Sequence, residues 1–305
     1  MEITMAKTHE MDLCEGSLWK KILIFSIPLM FSNILQVLFN MSDVAVVGKF
    51  AGPIALGAVG STSILVTLFT GLLIGLASGV NALTALYIGS KSEKDVRETV
   101  HTAAILCLSA GVLICVLGIL FTRPVLTLMH TKEELIDGAV LYLRLYLLGM
   151  PALAVFNFGN AVLSAIGDTK RPLYYLSMAG VINVILNLFF VIVCKMDVAG
   201  VAVASITSQY ISAALVLRLL FTTPENYGLK PERILRIGIP SAFQYAIFAI
   251  ANLFVQTGVN SFDHGMVEGN SAAANADPLV YDMMAAFYTA CASFIAQNYG
   301  AQKRD

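Results

Sequence analysis

The sequence predicts an all-α membrane protein, a bundle of long apolar helices that crosses the bilayer many times. Of the 305 residues, 57% are hydrophobic and only 13% are charged, against about a quarter charged in an ordinary soluble domain. The charges are grouped in short polar breaks between apolar runs, and runs of about 20 apolar residues are typical of membrane-spanning helices. The strict alternation of a membrane barrel is missing from these runs, so helices are favoured over strands.

Eight apolar runs follow one another along the chain. Several exceed the length needed to cross about 30 Å of hydrocarbon, so tilted or kinked helices are expected. Their approximate limits are 19–47, 54–87, 100–122, 138–166, 172–194, 198–221, 236–262 and 270–299. The first run follows an acidic leader and is too long for the apolar part of a signal peptide, so we interpret it as a retained first helix.

The distribution of Lys and Arg predicts a cytoplasmic N-terminus. In that orientation fourteen of the nineteen basic residues lie on the cytoplasmic side, as the positive-inside rule requires. The five on the opposite side are Lys49, Arg123, Lys132, Arg144 and Lys195. We therefore expect a multi-pass protein of the plasma (inner) membrane, in contact with membrane lipid. The net charge of −1 gives no indication of a nucleic-acid partner.

An internal repeat predicts that the chain consists of two related units. Lys21–Pro28 resembles Arg233–Pro240 at an offset of 212 residues, and each is a basic amphipathic turn followed by a proline. Gly89 and Gly300 belong to a second similar pair at an offset of 211. Nearly equal offsets at two distant places favour duplication over a chance likeness between apolar helices.

The repeat predicts the domain organisation as well. Residues 1–15 form a cytoplasmic leader, 16–221 an N-terminal lobe of six transmembrane helices, 222–232 a cytoplasmic linker, and 233–305 the first two helices of a second lobe. A complete second lobe would need about four more helices, so we expect the chain to be truncated. Because six is an even number, both lobes begin on the same side of the membrane, as parallel repeats with the solute cavity between them.

A polar stripe about 80° wide runs along the first predicted helix. Its members are Asn33, Gln36, Asn40 and Asp43. Such a stripe faces lipid only at a high cost, so it either lines a watery cavity or bonds neighbouring helices. Gln244 and Asn252 of the seventh run are candidates for the same cavity.

Asp43 is the only carboxylate deep in an apolar run of the first unit. Burial disfavours its charged form and brings proton exchange within reach of neutral pH, so we interpret Asp43 as a coupling residue. The alternative is a position at the outer water interface. Asn183 and Asn187, one turn apart on the fifth helix, and Ser205 on the sixth offer further oxygen atoms. Together with the carboxylate they would suit Na⁺, whereas H⁺ would need the carboxylate alone.

Other kinds of site find little support in the sequence. The five cysteines form no CxxC pair and no metal-ligand spacing, which is typical of packing residues. No metal site is predicted beyond Na⁺ at Asp43, and no cofactor is expected. The sequence contains no HExxH or GxSxG motif, so we do not expect an enzyme.

Several segments of the chain resemble a known transporter family. The most specific are Gly167–Pro172 (Gly-Asp-Thr-Lys-Arg-Pro) and Gln297–Ala301 (Gln-Asn-Tyr-Gly-Ala), and others are Met41–Asp43, Asn183–Asn187 and Val198–Ser205. Through these segments the chain resembles the multidrug and toxic compound extrusion (MATE) family over essentially its whole length.

The resemblance implies a MATE-like polytopic bundle of two six-helix lobes in a V shape. It implies a secondary antiporter that exports small organic cations in exchange for H⁺ or Na⁺, without a cofactor and as a monomer when complete. The family's coupling carboxylate matches Asp43, and the partners of that carboxylate match Asn183, Asn187 and Ser205.

Two departures from the family pattern bear on the coupling. Asn187 stands where many members have an aspartate, and the seventh run lacks the acid that some branches use. The alternatives to an antiporter are a lipid-linked precursor flippase of the same superfamily and an inactive transporter fragment.

Overall fold

The computed structural model describes residues 11, 13–129, 131–222, 247, 251 and 264–303, and these contain helices and no strand. The predicted all-α class is confirmed. The helices are α1 (Leu18–Val46), α2 (Gly52–Gly89), α3 (Glu93–Leu128), α4 (Glu133–Leu147), α5 (Met150–Ile166), α6 (Lys170–Leu188), α7 (Asp197–Thr222) and α8 (His264–Gly300). Two π-helical turns, Val47–Ala51 and Phe189–Val193, follow α1 and α6.

Within the described residues, four helical segments are long and apolar enough to cross a membrane, or five when one bent pair counts as a single span. The first segment, Leu18–Gly89, has 72 residues and would be about 108 Å long if straight. It therefore holds more than one crossing. The chain turns at Gly52, whose φ of +89° lies in the region that favours glycine.

α1 runs antiparallel to α8. The rings of Phe25 and Phe294 meet edge to face with their centroids 5.6 Å apart. Two turns further along α1, Asn33 Nδ2 donates to the backbone oxygen of Asp282 at 2.8 Å. A rising residue number on α1 thus meets a falling number on α8, which fixes the relative direction of the two helices.

α2, by contrast, runs parallel to α8. Ser293 Oγ donates to Asn81 Oδ1 at 2.9 Å, and these residues are 212 positions apart. Further on, a Cβ added at Gly89 would overlap the backbone of Gln297, and one added at Gly300 would overlap the backbone oxygen of Leu86. Each helix thus presents a glycine to the backbone of the other. Asn81 and Ser293, and likewise Gly89 and Gly300, occupy equivalent positions in the two predicted units. Contacts between equivalent positions are expected where two related units meet beside a two-fold axis.

The fourth predicted span is broken rather than continuous. α4 ends at Leu147 and α5 begins at Met150, with a bend of 45° between them. Gly149 precedes α5 and Pro151 lies in its first turn, where the ring supplies a fixed φ and lacks an N–H that would continue the helix. The run 138–166 therefore consists of two helices, with a sharper bend than the kinks expected for these long runs.

α1 and α6 form a parallel pair that is hydrogen-bonded near both ends. Thr169 Oγ1, just before α6, donates to the backbone oxygen of Phe25 at 3.3 Å. At the far ends, Asn187 donates to Asp43. Both pairs are separated by 144 residues, so the two helices stay in register over about 27 Å.

Parts of the predicted second lobe lie outside the described residues. The linker 222–232 is described only at Thr222, and the seventh run, 236–262, only at positions 247 and 251. The described contact of the second unit with the first is made by α8.

The close approach of α2 and α8 leads to a stability prediction. Gly89→Ala is expected to destabilise the protein by about 1–3 kcal/mol, because the added methyl group must push the helices apart. Gly60→Ala on the same helix is the control, since nothing lies within 4 Å of a Cβ there. That change should be neutral or stabilising by up to about 1 kcal/mol. Thermal unfolding of the purified protein in detergent measures both, and equal shifts would contradict the close approach.

Candidate functional site

Three helices bring one carboxylate and three neutral polar side chains together inside the bundle. Asp43 lies near the end of α1, Asn183 and Asn187 lie one turn apart on α6, and Ser205 lies on α7. All four are buried, and Asn187 has no exposed surface. The in-register pairing of α1 with α6 sets Asp43 level with Asn187, and the α6–α7 contact adds Ser205.

Hydrogen bonds join these four side chains into one network around the carboxylate. Asn187 Nδ2 donates to Asp43 Oδ1, and Ser205 Oγ donates to Asp43 Oδ2 at 2.9 Å. Asn187 Nδ2 also approaches Asn183 Oδ1 at 3.2 Å. Asn183 Nδ2 donates to Ser205 Oγ at 3.4 Å. Each carboxylate oxygen therefore has a neutral donor, supplied by a different helix.

The charge of Asp43 is not matched by a basic side chain in the part of the chain that the structure describes. Among those residues the buried charged side chains are Asp43 and Asp168, and Asp168 pairs with Arg171 at 3.1 Å. Asn187 Oδ1 is buried and accepts no hydrogen bond. A carboxylate with an unused amide oxygen beside it is suited to taking up a cation, either a proton on the carboxylate or a small hard ion held by oxygen atoms.

A metal centre of several charged ligands has no counterpart among the described residues. They contain no group of three or more His, Cys, Asp or Glu side chains placed to hold a metal ion. A cation at Asp43 would thus be held by one carboxylate and neutral oxygens.

The predicted cavity residues of α1 do not join the Asp43 network. Asn33 donates a hydrogen bond to the backbone of α8 at Asp282. At this position the polar stripe therefore bonds a neighbouring helix, which is one of the two alternatives predicted for it. Gln36 is half-buried and Asn40 is exposed. Gln244 and Asn252 lie outside the described residues. The structure therefore brings together the four predicted coupling residues and separates them from the rest of the stripe.

Two tyrosines that the sequence reasoning missed lie beside the site. The rings of Tyr142 and Tyr146 stack with centroids 5.9 Å apart, and both pack in the hydrophobic cluster that contains Val46, three residues after Asp43. Their i,i+4 spacing within an apolar run was a usable signal, because it places two polar tips on one helix face.

Further polar atoms gather at the break between α4 and α5. Tyr210 OH donates to the backbone oxygen of Leu148 at 3.1 Å, which satisfies a carbonyl freed by the break. Gln209 lies over Gly149, where a Cβ would overlap the amide. Gln209 Oε1 is buried there without a hydrogen-bond partner among the described residues. The polar region around Asp43 thus extends to the broken span.

Comparisons with known proteins point to one family. The MatE family model matches residues 28–189, a little over half of the chain. A probable multidrug resistance protein of Bacillus subtilis, YpnP, is 28% identical over 95% of this chain and 67% of its own length. A Shewanella oneidensis protein named as an FAD transporter is 22% identical over the same shares.

Solved structures give the same result. A multidrug resistance MATE family transporter of the MOP superfamily, solved in an outward-facing conformation, has a TM-score of 0.88 and 25% identity. The match covers 95% of this chain and 67% of that one. The chain spans about two thirds of the length of the curated relatives it matches.

The network predicts how the stability of the protein depends on pH. Asn187→Leu removes the donor to Asp43 Oδ1 and is expected to destabilise the protein by about 1–3 kcal/mol. The loss should be larger at about pH 8 than at about pH 5, because the amide supports the charged form of the carboxylate. Asn40→Leu, at an exposed position of α1, is the matched control. Unfolding midpoints across pH measure the effect, and a loss that does not vary with pH would assign it to packing.

Proposed function

The chain belongs to the MatE family, and on that premise we propose that it is a secondary active antiporter that exports small organic cations in exchange for H⁺ or Na⁺. The observation that carries the proposal is the buried Asp43 carboxylate, which is held by neutral donors and faces no basic side chain among the described residues. An ionisable group of this kind inside a membrane protein is costly to keep and marks an ion pathway.

The proposed coupling is a linkage between two cations that compete for the protein. H⁺ or Na⁺ at Asp43 neutralises the site and stabilises one arrangement of the helices, and the organic cation stabilises the other. By thermodynamic linkage, each ligand then lowers the affinity for the other by the same factor. Asn183, Asn187 and Ser205 would act by holding the ionised carboxylate and by supplying oxygen atoms to a bound ion.

The charge distribution supports a cationic substrate. Arg144, in the last turn of α4, is exposed, and no basic side chain is buried among the described residues. The buried charged side chains among the described residues, Asp43 and Asp168, are thus both acidic. A flippase for an anionic lipid-linked precursor would need a basic cavity. The relative named as a probable multidrug resistance protein agrees with drug export, whereas the relative named as an FAD transporter shows that other solutes occur among similar proteins.

The proposal includes a location and an organisation. Fourteen of the nineteen Lys and Arg residues lie on one side when the N-terminus is placed in the cytoplasm of a plasma membrane. The lobes at 16–221 and 233–305 would be parallel repeats, and the contacts of Asn81 with Ser293 and of Gly89 and Gly300 with the facing helix support that arrangement. The complete transporter would be a monomer surrounded by lipid.

Transport tests the proposal directly. The 305-residue chain, and a hybrid that continues with the last third of a full-length relative, are reconstituted in liposomes with a fluorescent organic cation. We expect gradient-driven export by the protein with two complete lobes, and we expect Asp43→Asn to abolish it because the coupling ion loses its charged ligand. Ser63→Ala, an exposed change on α2, should leave export intact. Export that persists in Asp43→Asn, or none by either protein, would contradict the proposal.

Ion binding to the purified chain distinguishes Na⁺ from H⁺. If Asp43 takes Na⁺, then Na⁺ at about 100 times its Kd should stabilise the protein by about 2.7 kcal/mol at alkaline pH. Asp43→Asn should remove that gain, and choline should not reproduce it. Stabilisation by acid without a response to Na⁺ would assign the site to H⁺. Thermal unfolding gives both results without any need for transport, and no response to either ion would contradict ion binding at Asp43.

A further inference from the structure

The residues just before α1 are fastened to the bundle rather than left in solvent. We define the strap as residues 13–16, Leu13 to Gly16, together with Met11. Leu13 has no exposed surface. It belongs to a hydrophobic cluster made with Phe25, Leu29, Ala286, Ala290 and Phe294. An apolar side chain from the leader therefore completes a core that α1 and α8 share.

Polar contacts fasten the strap to α8. Asn298 Nδ2 donates to the backbone oxygen of Leu13 at 3.0 Å, and Lys303 Nζ donates to that of Cys14 at 3.2 Å. Lys303 also pairs with Glu15 at 3.7 Å, although both side chains are largely exposed, so this ion pair adds little. Backbone oxygens of the strap are thus satisfied by Asn298 in the last turn of α8 and by Lys303 just beyond its end.

α8 in turn holds the strap against the α5–α6 connection. Gln297 Nε2 donates to the backbone oxygen of Ala165 at 2.6 Å, and Cys14 Sγ lies 3.8 Å from Gln297 Oε1. Gly167 adopts φ of +96°, and a Cβ there would overlap the backbone of Met11. The turn before α6 is therefore shaped to receive the strap, and Gln297 and Gly167 come from the two most specific segments of the sequence.

The strap sits at the start of α1 and α6, two of the three helices that carry the Asp43 network. α1 begins at Leu18 directly after the strap, and α6 begins at Lys170 directly after the turn against which Met11 packs. Asp43 and Asn187 lie about 27 Å beyond Phe25 and Thr169 along these two parallel helices. The bond of Thr169 to Phe25 joins the helices at the strap, and the bond of Asn187 to Asp43 joins them at the site.

We infer that the strap is a releasable latch that fastens this end of α8 to α1 and the α5–α6 turn, and that its release is coupled to the ionic state of Asp43. The inference rests on the proposed function in one respect, since an alternating-access exporter must open each end in turn. Any movement of α8 away from the α5–α6 turn breaks the Gln297 bond and uncovers Leu13. Neutralising Asp43 weakens the far bond between α1 and α6, and the two helices then shift where the strap is seated.

The accessibility of Cys14 reports the state of the strap without any transport. A chain that keeps Cys14 alone is made by changing Cys107, Cys115, Cys194 and Cys291 to Ala. The purified protein is reacted with a charged maleimide, and the rate is compared between variants. Asn298→Ala should react about tenfold faster, because it loses the bond to Leu13. Thr289→Ala, also on α8 but bonded within its own helix, should react at the parent rate.

Asp43→Asn tests the coupling in the same assay, and we expect Cys14 to react several-fold faster in that variant. A Gln297→Cys variant gives a second measure, because mild oxidation should cross-link it to Cys14, more slowly when Asp43 is also changed to Asn. Unchanged rates in Asn298→Ala would overturn the latch, and unchanged rates of both reactions in Asp43→Asn would overturn its coupling. Because neither reaction needs a substrate, a chain that fails to transport still gives a result.

Discussion

The rest of the structure depends on burying one carboxylate that has no basic partner among the described residues. Removing a carboxylate from water costs several kcal/mol, more than a single neutral hydrogen bond offsets. Asp43 therefore needs donors on both oxygens, and α1 alone does not supply them. The amide comes from α6 and the hydroxyl from α7, so three helices must converge at one depth. The parallel, in-register pairing of α1 and α6 meets that condition.

The fold class was predictable from a strong local signal, whereas the grouping of Asp43 with Asn183, Asn187 and Ser205 was predicted from weaker spacing signals together with the family resemblance. Long apolar runs predict spans, and Asn183 with Asn187 share a helix face by their i,i+4 spacing alone. The break at Leu148 and Gly149 was not predicted, because a glycine and a proline inside an apolar run leave its hydropathy intact. Tyr142 and Tyr146 were missed for a related reason, since a tyrosine in a span is apolar over most of its surface.

The polar stripe on α1 shows the limit of periodicity. Helical spacing places Asn33, Asn40 and Asp43 on one face, yet they meet different surroundings: the backbone of α8, open surface and a closed network of side chains. Residues ten positions apart on a helix are separated by about 15 Å. One face of a transmembrane helix therefore crosses several environments, and only the neighbouring helices decide which polar group is structural and which holds an exchangeable charge.

The contact of α2 with α8 has an evolutionary consequence. If the two units descend from one duplicated gene, an ancestral six-helix protein could have paired with its own copy through this surface, and a single change would then have altered both sides at once. At Gly89 and Gly300 each unit still has a glycine that faces the helix of the other unit. Asn81 and Ser293 differ, and each supplies what the other lacks. That asymmetry requires two independently mutable positions, so the bond between them postdates the joining of the units in one chain.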